Sequence, residues 1–497
     1  MKILYYNWVD YLDVENRGGG VTVYQRNLVN ELASNREHQL SFLSSGLDYS
    51  VHTRKPYIRE ERPYKGTRRF TLNNSEVLSP GHSSFFDSRS TRAEATSATF
   101  DDFITSNGPF DIIHFNNLEG LPAEVLKLKD RHPHTKFVYS MHNYFAVCPQ
   151  VNLWYREKEN CLDYDGGRKC ATCLLYEPNP KQAISLGIFA TTLRKVGIKP
   201  KTKAFAYSYY LARLIRSLLR KAKASVGVFL GKSHEDSGKK IRIEPLDDPT
   251  RDYFRERRGF FVDAINDNCD AVIAVSEQVK NVAAKFGIDP SIIVTSYIGT
   301  KMAESYSPPD LEYLKSRLQA KNTIRIGYLG YMRKDKGFYF LLDALETMPD
   351  ELAGRIDITI AAKMTDESVI KRLSAVADKF NSIDYMDGYT HAEIDGIYEA
   401  LDLSVVPVLW EDNLPQVAIE SVCHHVPVMA SNLGGAKELC GSDSNFVFEA
   451  GNIDDFVNKL GALVKSPTLL LGYWSNSRRP VTMGGHIEWL IDMYKNI

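Results

Sequence analysis

The sequence predicts an α/β protein with two doubly wound parallel-sheet domains in tandem, and three observations carry that prediction. Short β-branched and aromatic runs alternate with stretches of helical period. That rhythm stops over the polar stretch 301–322, which contains Pro308-Pro309, and then restarts. The chain has 497 residues, more than one ordinary domain holds.

The first set of buried strands is read at Ile3–Tyr6, Leu40–Leu43, Ile112–Phe115, Phe137–Ser140 and Val272–Val275. Between the first two, Tyr24, Leu28 and Leu32 form an i, i+4 stripe, so a helix is expected there. The second set is read at Ile324–Leu329, Ile356–Ala361, Ser404–Val408 and Val426–Ala430, with Phe338, Leu341, Leu342 and Leu345 marking a helix between. Ile487–Tyr494 reads as a short amphipathic helix after Gly484-Gly485. Two such sheets are expected to present the loops at their strand ends to a shared cleft, a natural ligand site.

Composition bounds the function. The chain is 43% hydrophobic and 25% charged, ordinary for a globular enzyme and against wholesale disorder. A formal net charge of −1 excludes a molecule built as a whole for nucleic acid. No apolar run reaches the length of a membrane span, and the first residues read as a strand rather than a leader, so a cytoplasmic protein is expected.

Asp412-Asn-Leu-Pro-Gln-Val-Ala-Ile-Glu420 is the clearest chemical signal. It places two carboxylates at a strand-to-helix switch, where they suit sugar hydroxyls, beside helix N-terminal amides that suit phosphate. Spacing alone also permits plain N-capping by Asp412. Gly330-Tyr-Met-Arg-Lys-Asp-Lys-Gly337 places Arg333 and Lys336 at a helix start, where they can neutralise a diphosphate; a solvated loop is the bland alternative. Arg17-Gly18-Gly19-Gly20 lies between the first strand and its helix, where glycines let backbone approach a phosphate. It lacks the full G-x-G-x-x-G of a dinucleotide site. His142 is expected at a strand end, where a ring nitrogen can meet a sugar hydroxyl.

The stretch Pro407 to Ser431, with its E-x7-E-like acids and the strand Pro427-Val-Met-Ala-Ser431, resembles the signature of retaining glycosyltransferases of family 4. Gly434-Gly435-Ala-Lys-Glu438 resembles the family's Gly-Gly-x-x-Glu turn, and Lys336-Gly337 its G-R-L-x-x-x-K-G loop. Two positions depart from the pattern. Asp412 stands at the first acid, with Glu411 adjacent, and Tyr331 stands where an arginine is expected, with Arg333 the favoured substitute. The resemblance implies a GT-B fold: an acceptor-side domain at 1–305, a donor domain at 306–480 and a final helix, 481–497, returning to the first.

It also implies transfer from a nucleotide diphosphate sugar, without a catalytic metal, to a saccharide or polyprenyl-diphosphate-linked acceptor, as in surface polysaccharide synthesis. The donor would meet Gly18, Gly19, Gly20, Arg333, Lys336, Asp412, Asn413, Leu414, Glu420, Gly434 and Gly435. Catalytic roles would fall to His142, Asp412, Glu420, Arg333 and Lys336. A nucleotide-sugar epimerase or phosphorylase on the same fold is the nearest alternative, and a non-catalytic zinc-stapled membrane adaptor the more distant one.

Cys148, Cys161, Cys170 and Cys173 are spaced C-x12-C-x8-C-x2-C, which suits a closed structural zinc site within the loop 148–173. Residues 181–223 hold eleven Lys or Arg and no Asp or Glu, inside an insertion read at 181–262. The stretch 204–223 sets leucines on one helical face and Arg213, Arg216, Arg220 and Lys223 on another. It is expected either to pack on the first domain or to dock on the anionic inner face of a membrane.

Overall fold

The computed structural model describes residues 1–15, 17–35, 37–50, 52–174, 178–199, 202–214, 217, 248–390, 392–441 and 443–497. They divide into two compact units that are not contiguous in sequence. The first comprises 1–26, 36–135 and 164–264; the second comprises 27–35, 136–163 and 265–497.

The first unit holds β1 (Lys2–Tyr6), β2 (Gln39–Ser45), β3 (Tyr57–Tyr64), β4 (Thr67–Asn73) and β5 (Ile112–Phe115), in the order β5-β1-β2-β4-β3. β1 pairs in parallel with both β2 and β5, Ile3 opposite Leu40 and Ile112. Its last four residues and all of β5 are buried, as strands covered on both faces must be. The helix Gly19–Asn35 follows in the chain and is divided between the units at Arg26; Tyr24, Leu28 and Leu32 are buried as their spacing predicts. The β3–β4 hairpin was not legible as strand. β3 reads Tyr-Ile-Arg-Glu-Glu-Arg-Pro-Tyr and is largely exposed, an antiparallel edge strand blunted by charge and proline.

The second unit holds a six-stranded, all-parallel sheet. Its strands are β11 (Ile324–Tyr331), β12 (Ile356–Lys363), β13 (Ser382–Met386), β14 (Leu403–Val406), β15 (Val428–Ser431) and β16 (Val447–Phe448), in the order β13-β12-β11-β14-β15-β16. The chain leaves β11 toward one edge and returns to the other side of it as β14. The ends of β11 and β14 therefore form the switch point of the sheet, where open α/β sheets bind ligands. Beneath lie Leu329, Ala361, Ile394, Ile397, Tyr398, Leu401 and Val426, packed as one apolar cluster.

The same unit contains β6 (Lys136–Met141), the short pair β7 (Trp154–Tyr155) and β8 (Glu159–Asn160), and the parallel neighbours β9 (Ala271–Ala274) and β10 (Ile293–Thr295). The polar stretch 301–322 holds a helix over Leu311–Gln319, capped by Asp310. β14 also ends at Val406, two residues short of the expected Val408. The terminal helix spans Met483–Asn496 and packs against 296–304, where Gly484 N donates to Glu304 Oε1 at 3.0 Å and Ser296 Oγ lies 3.3 Å from His486 Nδ1.

Candidate functional site

The loop after β11 and the loop after β14 meet at the switch point. The first is closed by Gly337 N donating to Lys334 O at 2.9 Å and Phe338 N to Arg333 O at 3.3 Å. It ends at Gly337, which precedes the helix Phe338–Thr347 with φ of 72°. A Cβ on Gly337 would lie 1.6 Å from the Pro407 carbonyl oxygen, so glycine is required both for its left-handed backbone and for contact with the second loop. Leu409 N also donates to Asp335 O at 2.8 Å, joining the two loops again.

This approach sets Lys336 against Asp412. Lys336 Nζ lies 2.5 Å from Asp412 Oδ2, and 5.2 Å from the centroid of the Trp410 ring. Asp412 therefore does not cap the following helix. That helix, Gln416–Cys423, starts after Pro415 with no side-chain cap at all. Arg333 makes a bidentate pair with buried Asp335, at 2.9 and 2.5 Å, while its own side chain stays about half exposed.

The Gly434-Gly435 turn is seated on the same loop. Gly434 has φ of 66°, and a Cβ there would meet Asp412 O at 2.4 Å; on Gly435 it would meet Asn413 O at 2.4 Å. Gly435 N donates to Asp412 O at 2.8 Å. These glycines allow two backbones to touch.

Glu411, weighed beside Asp412 as the first acid, has a different task. It is fully buried and accepts from Asn160 Nδ2 at 2.9 Å, Gln278 Nε2 at 2.8 Å and Gly434 N at 3.1 Å. Three N–H donors satisfy a carboxylate that burial would otherwise make costly. Glu438 likewise faces inward, accepting from Glu277 N at 3.0 Å, Gln278 N at 2.7 Å and Tyr297 Oη at 2.5 Å. It thereby serves the N-terminus of the helix Glu277–Lys285, whose cap Ser276 donates to Asn413 O at 2.8 Å. Glu411, Asn160, Gln278, Ser276 and Tyr297 were not identifiable as site residues from sequence. Only the acid next to Asp412 and a Ser-Glu start after a strand hinted at them.

Asn413 reaches β6, its Nδ2 donating to Met141 O at 3.3 Å, next to His142. That bond joins the Asp412 loop to the residue before His142, and Leu414 is buried. Glu420 lies in the Gln416–Cys423 helix, where its charge, after burial, helps push the Cys423 thiol up to about 12 and raises the Tyr389 and Tyr398 hydroxyls.

Burial, with His486 adding to it, pushes His142 down from 6.5 to about 3; burial pushes His486 down to about 4. Between pH 4 and 6.5 both rings stay neutral in the folded chain, whereas the unfolded chain takes up protons. Stability is therefore complete above about pH 6.5 and declines as pH falls through this window, on the order of 1 kcal/mol per pH unit for each ring. Thermal melts from pH 7 to 4.5 should show this slope, and His486→Gln should remove about half of it.

The glycine segment Gly18–Gly20 lies in the first unit, at the start of the Gly19–Asn35 helix as expected. Gly19 has φ of 55°, and a Cβ on Gly18 would meet Thr22 Oγ1 at 2.2 Å. The preceding Arg17 is held by Asp13, with Nη2 to Oδ1 at 2.6 Å. Cys148 and Cys161 fall in the second unit, while Cys170 and Cys173 fall in the first, packed with Phe85 and Phe254. Among the described residues no group of three or more His, Cys, Asp or Glu is placed to hold a metal ion. The zinc reading therefore rests on sequence spacing alone.

The stretch 203–214 is helical; residues 215, 216 and 218–223, including Arg216, Arg220 and Lys223, lie outside the described set. Among the described residues no helix is long and apolar enough to cross a membrane.

Residues 323–466 match the family model of glycosyl transferases group 1. A protein of Methanocaldococcus jannaschii described as an uncharacterized glycosyltransferase is 21% identical over 251 residues, 49% of this chain and 63% of that protein. The chain thus spans less than two thirds of that relative. Among solved structures, Anabaena HepE in complex with UDP and glucose matches at 13% identity and a TM-score of 0.53, covering 100% of both chains. Sucrose-phosphate synthase of Thermosynechococcus elongatus matches at 13% identity and a TM-score of 0.56, covering 100% of this chain and 98% of that one. At such identities the likeness is one of fold, and the fold is GT-B: α/β, with two parallel-sheet domains. The matched segment, 323–466, holds Lys336, Asp412, Glu420 and the Gly434-Gly435 turn.

Proposed function

We propose that this chain is a retaining glycosyltransferase of family 4 type, moving a sugar from a nucleotide diphosphate sugar to a saccharide or polyprenyl-diphosphate-linked acceptor. The observation that supports it best is the convergence of Lys336, Asp412 and the Gly434-Gly435 turn at the sheet's switch point, inside the matched family segment. The UDP and glucose bound by HepE favour a nucleotide-sugar donor.

In the proposed reaction the bond from the anomeric carbon to the diphosphate oxygen breaks, and its electron pair leaves with the nucleoside diphosphate. The acceptor oxygen bonds the same face of the sugar, and its proton passes to the departing phosphate oxygen. Lys336 and Arg333 stabilise the charge that develops on the diphosphate. Asp412, Glu420 and His142, neutral at physiological pH, orient donor and sugar hydroxyls.

A thermal-shift panel of nucleotide sugars tests the donor half: the matching donor should raise the melting temperature in a concentration-dependent way. A panel with no shift, together with no hydrolysis or transfer, would remove the reading. Turnover of donor without acceptor into an isomer, or only with inorganic phosphate, would replace it by an epimerase or a phosphorylase.

We infer that the acceptor is presented at an anionic membrane surface, consistent with surface polysaccharide synthesis on the cytoplasmic face. Tyr207 and Tyr210 are 68% and 63% exposed, and Leu211 and Leu214 are exposed beside Arg213, with no acid over 181–223. The protein should sediment with phosphatidylglycerol-containing vesicles and not with neutral phosphatidylcholine vesicles. Replacing Tyr207, Tyr210 and Arg213 together by serine should weaken that binding about tenfold or more. Equal sedimentation with both vesicle types would remove the inference.

A further inference from the structure

We propose that Lys336 and Asp412 form an exchangeable ion pair by which the site favours a complete nucleotide sugar over a bare nucleoside diphosphate. This rests on the donor reading above. Of the three cations in the loop after β11, Arg333 and Lys336 are each paired with an acid of the same unit, and the two pairs differ. Arg333 pairs with Asp335, two residues away, so that pair moves as one with its loop. Lys336 pairs across 76 residues with Asp412, an acid on the opposite wall of the site. The Asp412 backbone is pinned, its N–H donating to Trp410 O at 2.8 Å and its carbonyl accepting from Gly435 N at 2.8 Å. The mobile partner is therefore the lysine.

The Asp412 side chain is 9% exposed and the Lys336 side chain 27%. Drawing Lys336 away leaves a nearly buried carboxylate without its cation, which is costly unless another donor replaces it. A nucleotide sugar supplies both replacements: its diphosphate takes Lys336, and a sugar hydroxyl donates to Asp412. A nucleoside diphosphate supplies only the first. Once the sugar has been transferred, Asp412 competes for Lys336 and loosens the product nucleotide. Asp412 is thus a specificity-determining group as well as a sugar contact.

The test is calorimetric titration of UDP and UDP-glucose, and of GDP and GDP-mannose, into the intact protein at fixed ionic strength. Asp412→Asn should tighten the nucleoside diphosphate and lower the ratio of its Kd to that of the nucleotide sugar by about tenfold. With Lys336→Met already in place, the same substitution should change nucleoside diphosphate affinity by less than about twofold. Asp412→Ser serves the same purpose if the asparagine variant melts too early. Equal shifts for both ligands, or weaker diphosphate binding, overturn the exchange while leaving the donor reading standing. A wild-type protein that binds neither pair at millimolar concentration overturns both.

Discussion

Lys336→Ala is expected to lower kcat by about 10²–10³-fold under the proposed glycosyl transfer, with a smaller change in KM. Lys336 is the cation best placed to meet a diphosphate at the switch point. It sits at the end of the loop after β11, within reach of both Asp412 and the Trp410 ring. Charge on the leaving diphosphate grows as the glycosidic bond breaks. A cation held against it therefore stabilises the transition state more than the ground state. Arg333→Ala should cost less by itself, because its guanidinium is already shared with Asp335. Near-normal turnover in the double variant, measured with the donor found by thermal shift, would remove both residues from the chemistry.

Gly337→Ala is expected to have the largest effect on stability, at least about 4 kcal/mol, lowering the melting temperature by about 10 °C or more. Two causes add. A residue with a side chain at φ of 72° pays about 1–2 kcal/mol for left-handed backbone. The new methyl group would also lie 1.6 Å from the Pro407 carbonyl oxygen, far inside contact distance. The loops after β11 and β14 would have to separate, taking Lys336 from Asp412. Gly451 is the matched control. It has φ of 80° with nothing within 4 Å of the added Cβ, so Gly451→Ala should cost only the backbone share. A melt of Gly337→Ala within about 2 °C of the wild type would contradict this packing.

Much of the fold was legible because parallel strands buried on both faces leave continuous apolar runs. Ile112–Phe115 was read without error, and β1, β2, β6, β9, β11 and β12 to within three residues at either end. Strands of other character escaped. β3 carries four consecutive charged residues, Arg59 to Arg62, at an exposed edge, and β16 has only two residues. The helix Leu311–Gln319 was hidden by the prolines before it and by a mostly exposed surface that carries little apolar signal. Within the site, spacing marked Asp412 and Glu420 as a pair but did not separate a sugar contact from a helix cap, since both use an acid in the same place.

The sequence by itself determined the α/β class and the restart of the strand–helix rhythm, and it singled out the residues of the candidate site: Lys336, Arg333, Asp412, Glu420 and the paired glycines. These follow from local periodicity and from motifs a few residues long. Only the tertiary structure decided which acid meets Lys336 and which is enclosed by N–H donors. Glu411 and Asp412 are neighbours with the same charge, but successive side chains leave the backbone in different directions. One meets Asn160, Gln278 and Gly434, and the other meets Lys336. Those partners come from segments up to 251 residues away, and contacts at that range depend on how the strands are ordered in the sheet, which no short window of sequence encodes.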